Sequence, residues 1–319
     1  MPSPARVGAL TAPMVPGAEA GLEEKLAELV RGSASAPLAV VRLRVQADRD
    51  RPVVTGRVLT LGQAREVRRL AAEHGATVDI DVLADPDRQL EEGWLEIAGE
   101  SPIEIWREPG RRGEDHARQT EYLPRDGPLR QLGSRPDGLL IQGADLSVGW
   151  AAAEGLVASD PEAGRRRWIA YRRAMKGEAV APTVDTGNRA GRQPVDRLLG
   201  ALRDELGVPY RWGGTTHRGF DCSGLVQRAY SQATGVLLPK HTGDQRHVGV
   251  RVAAAEAEPG DLLFATPRQQ RVGHVMVLSS PDTVIHACRT ETKVIEEPIS
   301  ANAERYQHQG YRRPVRLGS

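Results

Sequence analysis

The stretch "GFDCSGLVQRAY", Gly219 to Tyr230, sets one of the chain's 2 cysteines between an Asp and a Ser, just where a helix begins. Leu225, Val226, Ala229, Tyr230 and Ala233 recur at the spacing of one helix face, and Gly235 fits the C-cap. Asp221 fits the N-cap, where a carboxylate satisfies donors of the first turn. Only a thiolate attacks carbonyls well, and a free thiol with a pKa of about 8.5 is mostly protonated at neutral pH. Placement in a first helical turn helps, because unpaired N–H groups and the positive end of the macrodipole favour an anion there. The same N–H groups can hold the oxyanion of a tetrahedral intermediate. The charge of Asp221 opposes thiolate formation, so a cationic partner is required. His274 opens "HVMVLSS" and His286 lies within "VIHACR", which suits a nucleophile, base and orienter assembled in space. His217, His241 and His247 carry no catalytic expectation.

Outward from this helix, "VDRLLGALRDEL" puts Val195, Leu198, Leu199, Leu202 and Leu206 on one face, and Gly207 and Pro209 stop it. Four β-type runs follow: "DLLFA", "GHVMVLSS", "VIHACR" and "KVIEEPI". Helices followed by antiparallel strands give an α+β unit over 195–319. Upstream, residues 1–36 read as a Pro/Ala-rich extension. Strand-like "LAVVRLRV" and "VVTGRV", a helix ending near Gly75 and "TVDIDVL" make a β-β-α-β unit over 37–100. From 101 to 158, short β runs broken by turns indicate a small barrel or sandwich, with Trp106 and Trp150 as core. Residues 159–194 read as a helix and then a Gly/Pro-rich linker, "GEAVAPTVDTGNRAGRQP".

The 319 residues suit more than one domain, and 43 Lys+Arg against 42 Asp+Glu give no field that would favour nucleic acid. No run approaches the ~18 apolar residues of a bilayer span, so no membrane insertion is expected. The N-terminus has Pro at positions 2, 4, 13 and 16 and no uninterrupted apolar core, so it does not read as a secretory signal. The expected compartment is the cytoplasm; the alternative is secretion or the cell envelope. Nothing in the sequence bears on oligomeric state.

"PYRWGGTTHRGFDCSGLVQRAY", "LPKHTGDQ", "EPGDLLFA", "GHVMVL" and "VIHA" occur in the order and approximate spacing of the NlpC-type cell-wall cysteine peptidases. The resemblance covers about Val195 to Val315 and implies a papain-like fold. It implies Cys222 as nucleophile, His274 as base and His286 as the third member. It also implies Tyr210 beside the nucleophile, and Asp221, Ser223 and Thr242 lining the substrate groove. "IEIWREP" and "VGWAAAEGL" resemble the ends of a bacterial SH3-like domain. The implied reaction is hydrolysis of a peptidoglycan stem peptide, commonly at the γ-D-glutamyl–diamino acid bond, without a cofactor. Relatives with SH3-like domains that recycle murein peptides bind a free L-Ala amine near an acidic residue. That position is His241 here, so Asp221 or Glu121 would have to substitute. The competing expectations are an exported hydrolase of intact wall and a non-catalytic wall-binding protein.

Period two puts His286 and Cys288 on one strand face, and with Cys222 and His274 they make a Cys₂His₂ set. H-x-C is cramped for structural zinc, so no metal is expected. Cys288 near Cys222 would allow a reversible disulfide that silences the nucleophile.

Overall fold

The computed structural model describes residues 18–32, 42–48, 51–88, 90, 93–108, 118–175, 193–268 and 273–314. The chain divides into two compact units, Met1–Arg88 and Gln89–Ser319.

The first unit contains helix α1 (Ala18–Gly32), strands β1 (Arg42–Asp48) and β2 (Arg51–Val58), helix α2 (Leu61–Glu73) and strand β3 (Thr77–Val82). β1 and β2 pair antiparallel, while β2 and β3 pair parallel across α2, giving the expected β-β-α-β order. Thr60 caps α2 reciprocally: its hydroxyl accepts from the Gln63 N–H at 3.3 Å, and Gln63 Oε1 accepts from the Thr60 N–H at 3.1 Å. Residues 18–32, expected to belong to an extension, form a helix because Leu22, Leu26 and Leu29 share one face. That face packs against Val54, Val58, Val67 and Leu70.

The second unit opens with strands β4 (Trp94–Ile97), β5 (Ile103–Trp106), β6 (Arg118–Tyr122), β7 (Leu129–Arg135), β8 (Gly138–Gly143), β9 (Val148–Ala151) and β10 (Leu156–Ala158). They pair in the order β10-β4-β7-β8-β9-β5-β6. The pairings leave β10 and β6 as ends, so an antiparallel sheet stands where a small closed barrel was expected. It also begins before residue 101, because β4 pairs with both β7 and β10. Trp106 and Trp150 are buried and sit opposite each other across β5 and β9, as core positions should. Helix α3 (Pro161–Met175) then covers Trp94 and Ala144 with Trp168 and Tyr171. The expected linker over 177–194 lies almost wholly outside the described residues.

Helix α4 (Pro194–Arg203), the hairpin of β11 (Thr215–Thr216) and β12 (Gly219–Phe220), and helix α5 (Cys222–Thr234) lead into the last sheet. Gly235 ends α5 with φ 73°, a left-handed conformation that glycine adopts without strain. Beyond lie helix α6 (Thr242–Gln245), strands β13 (Val250–Val252), β14 (Leu262–Pro267), β15 (His274–Ser280), β16 (Thr283–Cys288) and β17 (Lys293–Pro298), helix α7 (Ile299–Arg305) and strand β18 (Tyr306–Arg313). The strands form one antiparallel sheet, ordered β13-β18-β14-β15-β16-β17. Helices α4 and α5 cover one face of it, where Leu198, Leu202, Leu225 and Val226 meet Phe264, Val275, Val277 and Ile285. Leu206 departs from the expected stripe: α4 stops at Arg203, and the following turn leaves Leu206 42% exposed.

Candidate active site

Cys222 is the first residue of α5 and is 8% exposed. Asp221 caps the helix, accepting from the Gly224 N–H at 2.6 Å and from the Gly213 N–H at 2.9 Å. Lys240, fully buried, places Nζ 2.8 Å from both Asp221 oxygens, and the Ser223 hydroxyl donates to the same carboxylate at 3.3 Å. A Cβ on Gly224 would lie 2.1 Å from the Gly214 carbonyl oxygen, so the Gly213-Gly214 loop can press onto the first turn of α5 only because position 224 is glycine. Thr242, at the start of α6, brings Oγ1 to 3.8 Å from the Cys222 sulfur. Burial pushes the thiol up to about 11 and Asp221 adds to this; the Val275 N–H, the Thr242 hydroxyl and Lys240 oppose it. Burial and the Asp221 carboxylate thus oppose ionisation of the sulfur, against the helix start that favours it.

His274 begins β15 and His286 lies on the neighbouring β16. His274 Nε2 is 2.8 Å from His286 Nδ1, and His286 Nε2 is 2.8 Å from Glu297 Oε1 on β17. Glu297 also accepts from Asn302 Nδ2 at 2.9 Å and from the Arg305 guanidinium. Tyr306 stacks on His274 with ring centroids 4.6 Å apart. Burial holds both imidazoles below their usual range; His286 and Arg305 depress His274 further while Glu297 pulls it up. Burial alone would raise the Glu297 carboxyl, but its bonds to His286, Arg305 and Asn302 prevail and hold it at about 2. The result is a neutral imidazole pair resting on a fixed carboxylate. With Nε2 engaged, only Nδ1 of His274 remains to serve a thiol.

Cys222 and His274 line one cavity of about 500 Å³, together with Tyr210 and Thr242 from the same lobe and Arg107 and Gln119 from the upstream sheet. The sheet reaches the cavity because it is tied to the loop before Cys222. The Glu121 N–H donates to the Gly213 carbonyl at 3.2 Å, and the Glu121 carboxylate takes Arg211 at 2.5 Å. Thr216 donates to the same carboxylate at 3.0 Å. Arg228 on α5 meets Asp126 in a two-point pair at 2.8 and 3.1 Å.

Residues 207–314 match the NlpC/P60 family. A probable endopeptidase of Corynebacterium glutamicum is 30% identical over 173 residues, 50% of this chain and 77% of that protein. The chain belongs to the NlpC/P60 family. The probable endopeptidase NlpC homolog of Haemophilus influenzae is 37% identical over 101 residues, 31% of this chain and 53% of its own length. A gamma-D-glutamyl-L-lysine dipeptidyl-peptidase of Bacillus cereus is 33% identical over 120 residues, 37% of this chain and 36% of that protein. The chain spans about half the length of the first curated relatives it matches.

Within this NlpC/P60 chain, the structure brings Cys222, His274, Tyr210 and Thr242 to one cavity and sets His286 behind His274. Asp221 and Ser223 also border the cavity, but their polar atoms are turned into the Lys240 network. Glu121, considered as an amine selector, is 1% exposed and neutralised by Arg211 and Arg218. His241 lines the cavity, and burial, with Lys240 and Arg107 nearby, pushes it down to about 4, so it is neutral near pH 7. Cys288 is a free thiol, as is Cys222, and its sulfur lies 4.0 Å from the Tyr306 hydroxyl. Among the described residues no group of three or more His, Cys, Asp or Glu is placed to hold a metal ion, and no helix is long and apolar enough to cross a membrane. Sequence reasoning passed over Glu297, Asn302, Arg305 and the buried Lys240. Alternation along β16 and β17 was the available signal for Glu297, because Val284 faces Glu297 and His286 faces Ile295 across the pair.

Proposed function

We propose that this chain is a cysteine endopeptidase that cuts peptidoglycan stem peptides at the γ-D-glutamyl–diamino acid bond of short soluble muropeptides, a step in cell-wall recycling. The observation behind it is a cavity lined both by a thiol at a helix start and by an imidazole backed by a second imidazole. As substrate enters, His274 Nδ1 takes the Cys222 proton while the sulfur attacks the amide carbon. The helix-start N–H groups of Cys222 and Ser223 are the donors suited to the oxyanion, since that of Gly224 is held by Asp221. His274 then returns the proton to the leaving amine, and water, deprotonated by the same imidazole, resolves the thioester. Arg107, Arg268 and Arg289 line the cavity against Glu304, while Asp221 and Arg305, which also border it, are paired with Lys240 and Glu297, a balance that suits a carboxylate-rich peptide. The name of the Bacillus cereus relative agrees with the bond proposed.

A second substrate form is favoured by one observation. At the position where an acidic residue would hold a free amine stands the neutral His241, with Arg107 beside it, and both candidate substitutes are already paired. That environment repels an ammonium and suits stem peptides whose N-terminus is still substituted, as in intact wall. Incubating L-Ala-γ-D-Glu-diamino acid peptides and their N-acetylated forms with the wild type and with Cys222→Ala, followed by mass analysis, tests both. Cleavage that survives Cys222→Ala removes the thiol mechanism. Cleavage of the acetylated peptides alone replaces recycling with action on substituted peptides.

A further inference from the structure

Two histidines joined ring to ring have an ambiguity that a single histidine bonded to a carboxylate lacks. The proton shared by His274 Nε2 and His286 Nδ1, 2.8 Å apart, can belong to either ring. If it belongs to His286, a neutral His274 carries its own proton on Nδ1, the nitrogen that must be bare to accept one from a thiol. Something has to fix the choice.

We infer that Glu297 fixes the tautomers of both rings and so acts as a positioning residue for the chemistry at Cys222, an inference that rests on the function proposed above. An ionised carboxylate only accepts. Its Oε1 lies 2.8 Å from His286 Nε2, so that nitrogen must donate. A neutral His286 then has a bare Nδ1, which must accept from His274 Nε2, and a neutral His274 is left with a bare Nδ1. One acceptor on β17 thus exposes a basic nitrogen two rings away. When that nitrogen takes a proton, the new imidazolium is joined to the carboxylate through two hydrogen bonds.

The carboxylate is itself constrained. Asn302 Nδ2 donates to Oε1 at 2.9 Å, and the Asn302 carbonyl oxygen is occupied by His308 Nε2 at 2.9 Å. Arg305 donates to Oε2, and its guanidinium also lies 3.7 Å from Glu291. The remaining titratable neighbours are Tyr306, stacked on His274, and Cys288 beside the Tyr306 hydroxyl.

The arginine makes the inference sharply testable, because it is an obligatory donor. In Glu297→Gln the amide oxygen faces Arg305, because the reverse sets its NH₂ group against a guanidinium, a charged donor about twice as strong as the neutral Asn302 Nδ2 that the NH₂ group meets instead. The amide nitrogen then faces His286 Nε2 and forces it to accept. His286 Nδ1 becomes a donor, His274 Nε2 an acceptor, and the His274 proton moves to Nδ1. In Glu297→Gln/Arg305→Met the amide is free to turn its oxygen to His286, which restores the original sequence of donors although a second charged group has been lost.

The experiment is ¹⁵N NMR of histidine-labelled full-length chain, in which the two ring nitrogens report the tautomer directly, alongside kinetics on L-Ala-γ-D-Glu-meso-diaminopimelate. The wild type is expected to carry the His274 proton on Nε2. Glu297→Gln is expected to move it to Nδ1 and to lower kcat by about 10²–10⁴-fold with KM little changed, the range for losing a general base. The double variant is expected to return the proton to Nε2 and to recover at least about tenfold of kcat over Glu297→Gln. A carboxylate that merely braces the fold would leave the double variant no better than the single one. A His274 proton on Nδ1 in the wild type overturns the inference whether or not any variant folds, as does the same tautomer in wild type and Glu297→Gln. Because the NMR needs no substrate, expected tautomers without any cleavage of peptide would count against the proposed function and not against the role of Glu297.

Discussion

Replacing Lys240 by Met tests whether the charge pair under Cys222 sets both the stability of the lobe and the state of the sulfur. Lys240 is fully buried, with its ammonium 2.8 Å from both oxygens of Asp221. Removing one partner of a buried pair costs about 3–5 kcal/mol, because the remaining charge is left in a medium that solvates it poorly. Asp221 keeps the N–H groups of Gly213 and Gly224 and the Ser223 hydroxyl, which places the loss near the lower end, about 3 kcal/mol. At about 2–4 °C per kcal/mol for a unit of this size, the melting temperature should fall by about 6–12 °C. The thiol supplies a second observable of known sign, since Lys240 lowers its pKa and Asp221 raises it. Lys240→Met should therefore slow iodoacetamide alkylation of Cys222, and Asp221→Asn should speed it, although both variants are less stable than the parent. The double variant, with no charge left uncompensated, should be more stable than either single one. The assay is thermal melting beside alkylation rates in a Cys288→Ser background. Faster alkylation in Lys240→Met, or a melting shift under about 2 °C, would refute the reasoning.

Three further outcomes are expected. Because burial pushes the thiol up to about 11, alkylation of Cys222 in Cys288→Ser should climb about tenfold per pH unit from about pH 6 to about pH 10; a plateau below about pH 7 would reveal a thiolate–imidazolium pair instead. Gly224→Ala should destabilise the lobe by about 1–3 kcal/mol in denaturant titration and lower activity, because the new methyl meets the Gly214 carbonyl 2.1 Å away; unchanged stability would show that the loop yields freely. Arg228→Met should cost about 1–3 kcal/mol by leaving the part-buried carboxylate of Asp126 without its two-point partner, though it keeps the Leu123 N–H, and an intact denaturation midpoint would mean that water replaces the guanidinium.

Much of the NlpC/P60 lobe was legible because its signals are local. The α5 stripe, the Asp221 cap and Gly235 lie within fifteen residues of one another, and each residue type has few other uses in that arrangement. The four β-type runs likewise appear as β14 to β17. What escaped depends on pairing that no local pattern encodes. Strand β18 lies between β13 and β14 in the sheet although three strands and a helix separate it from β14 in the chain, and its polar sequence YQHQGYRR offers no apolar alternation to mark it. Helix α1 was hidden by the prolines before it, although Leu22, Leu26 and Leu29 had the right period. Glu297 reads as one charge among several in "KVIEEP" until β17 is set beside β16. The burial of Cys222 escaped for a different reason: a helix terminus can be read from sequence, whereas the depth at which it lies cannot.

The position of the upstream sheet follows from where its bonds land. Glu121 on β6 donates its N–H to the carbonyl of Gly213, and the N–H of that same glycine donates to Asp221, the residue that caps the helix bearing Cys222. Arg211, two residues earlier, is held by Glu104 and Glu121 from two different strands of the sheet. Gly213 has φ 70°, and a Cβ there would come within 3.1 Å of the Gln119 backbone, so the close approach of sheet to loop requires glycine. A wall-binding module appended to an enzyme would be joined to it through a linker and a polar surface. Here the sheet supplies one end of a chain of hydrogen bonds that runs through Gly213 to the Asp221 carboxylate capping α5. Loosening β6 therefore acts on the sulfur through Gly213 and Asp221 as well as on the cavity wall through Gln119, which lines it.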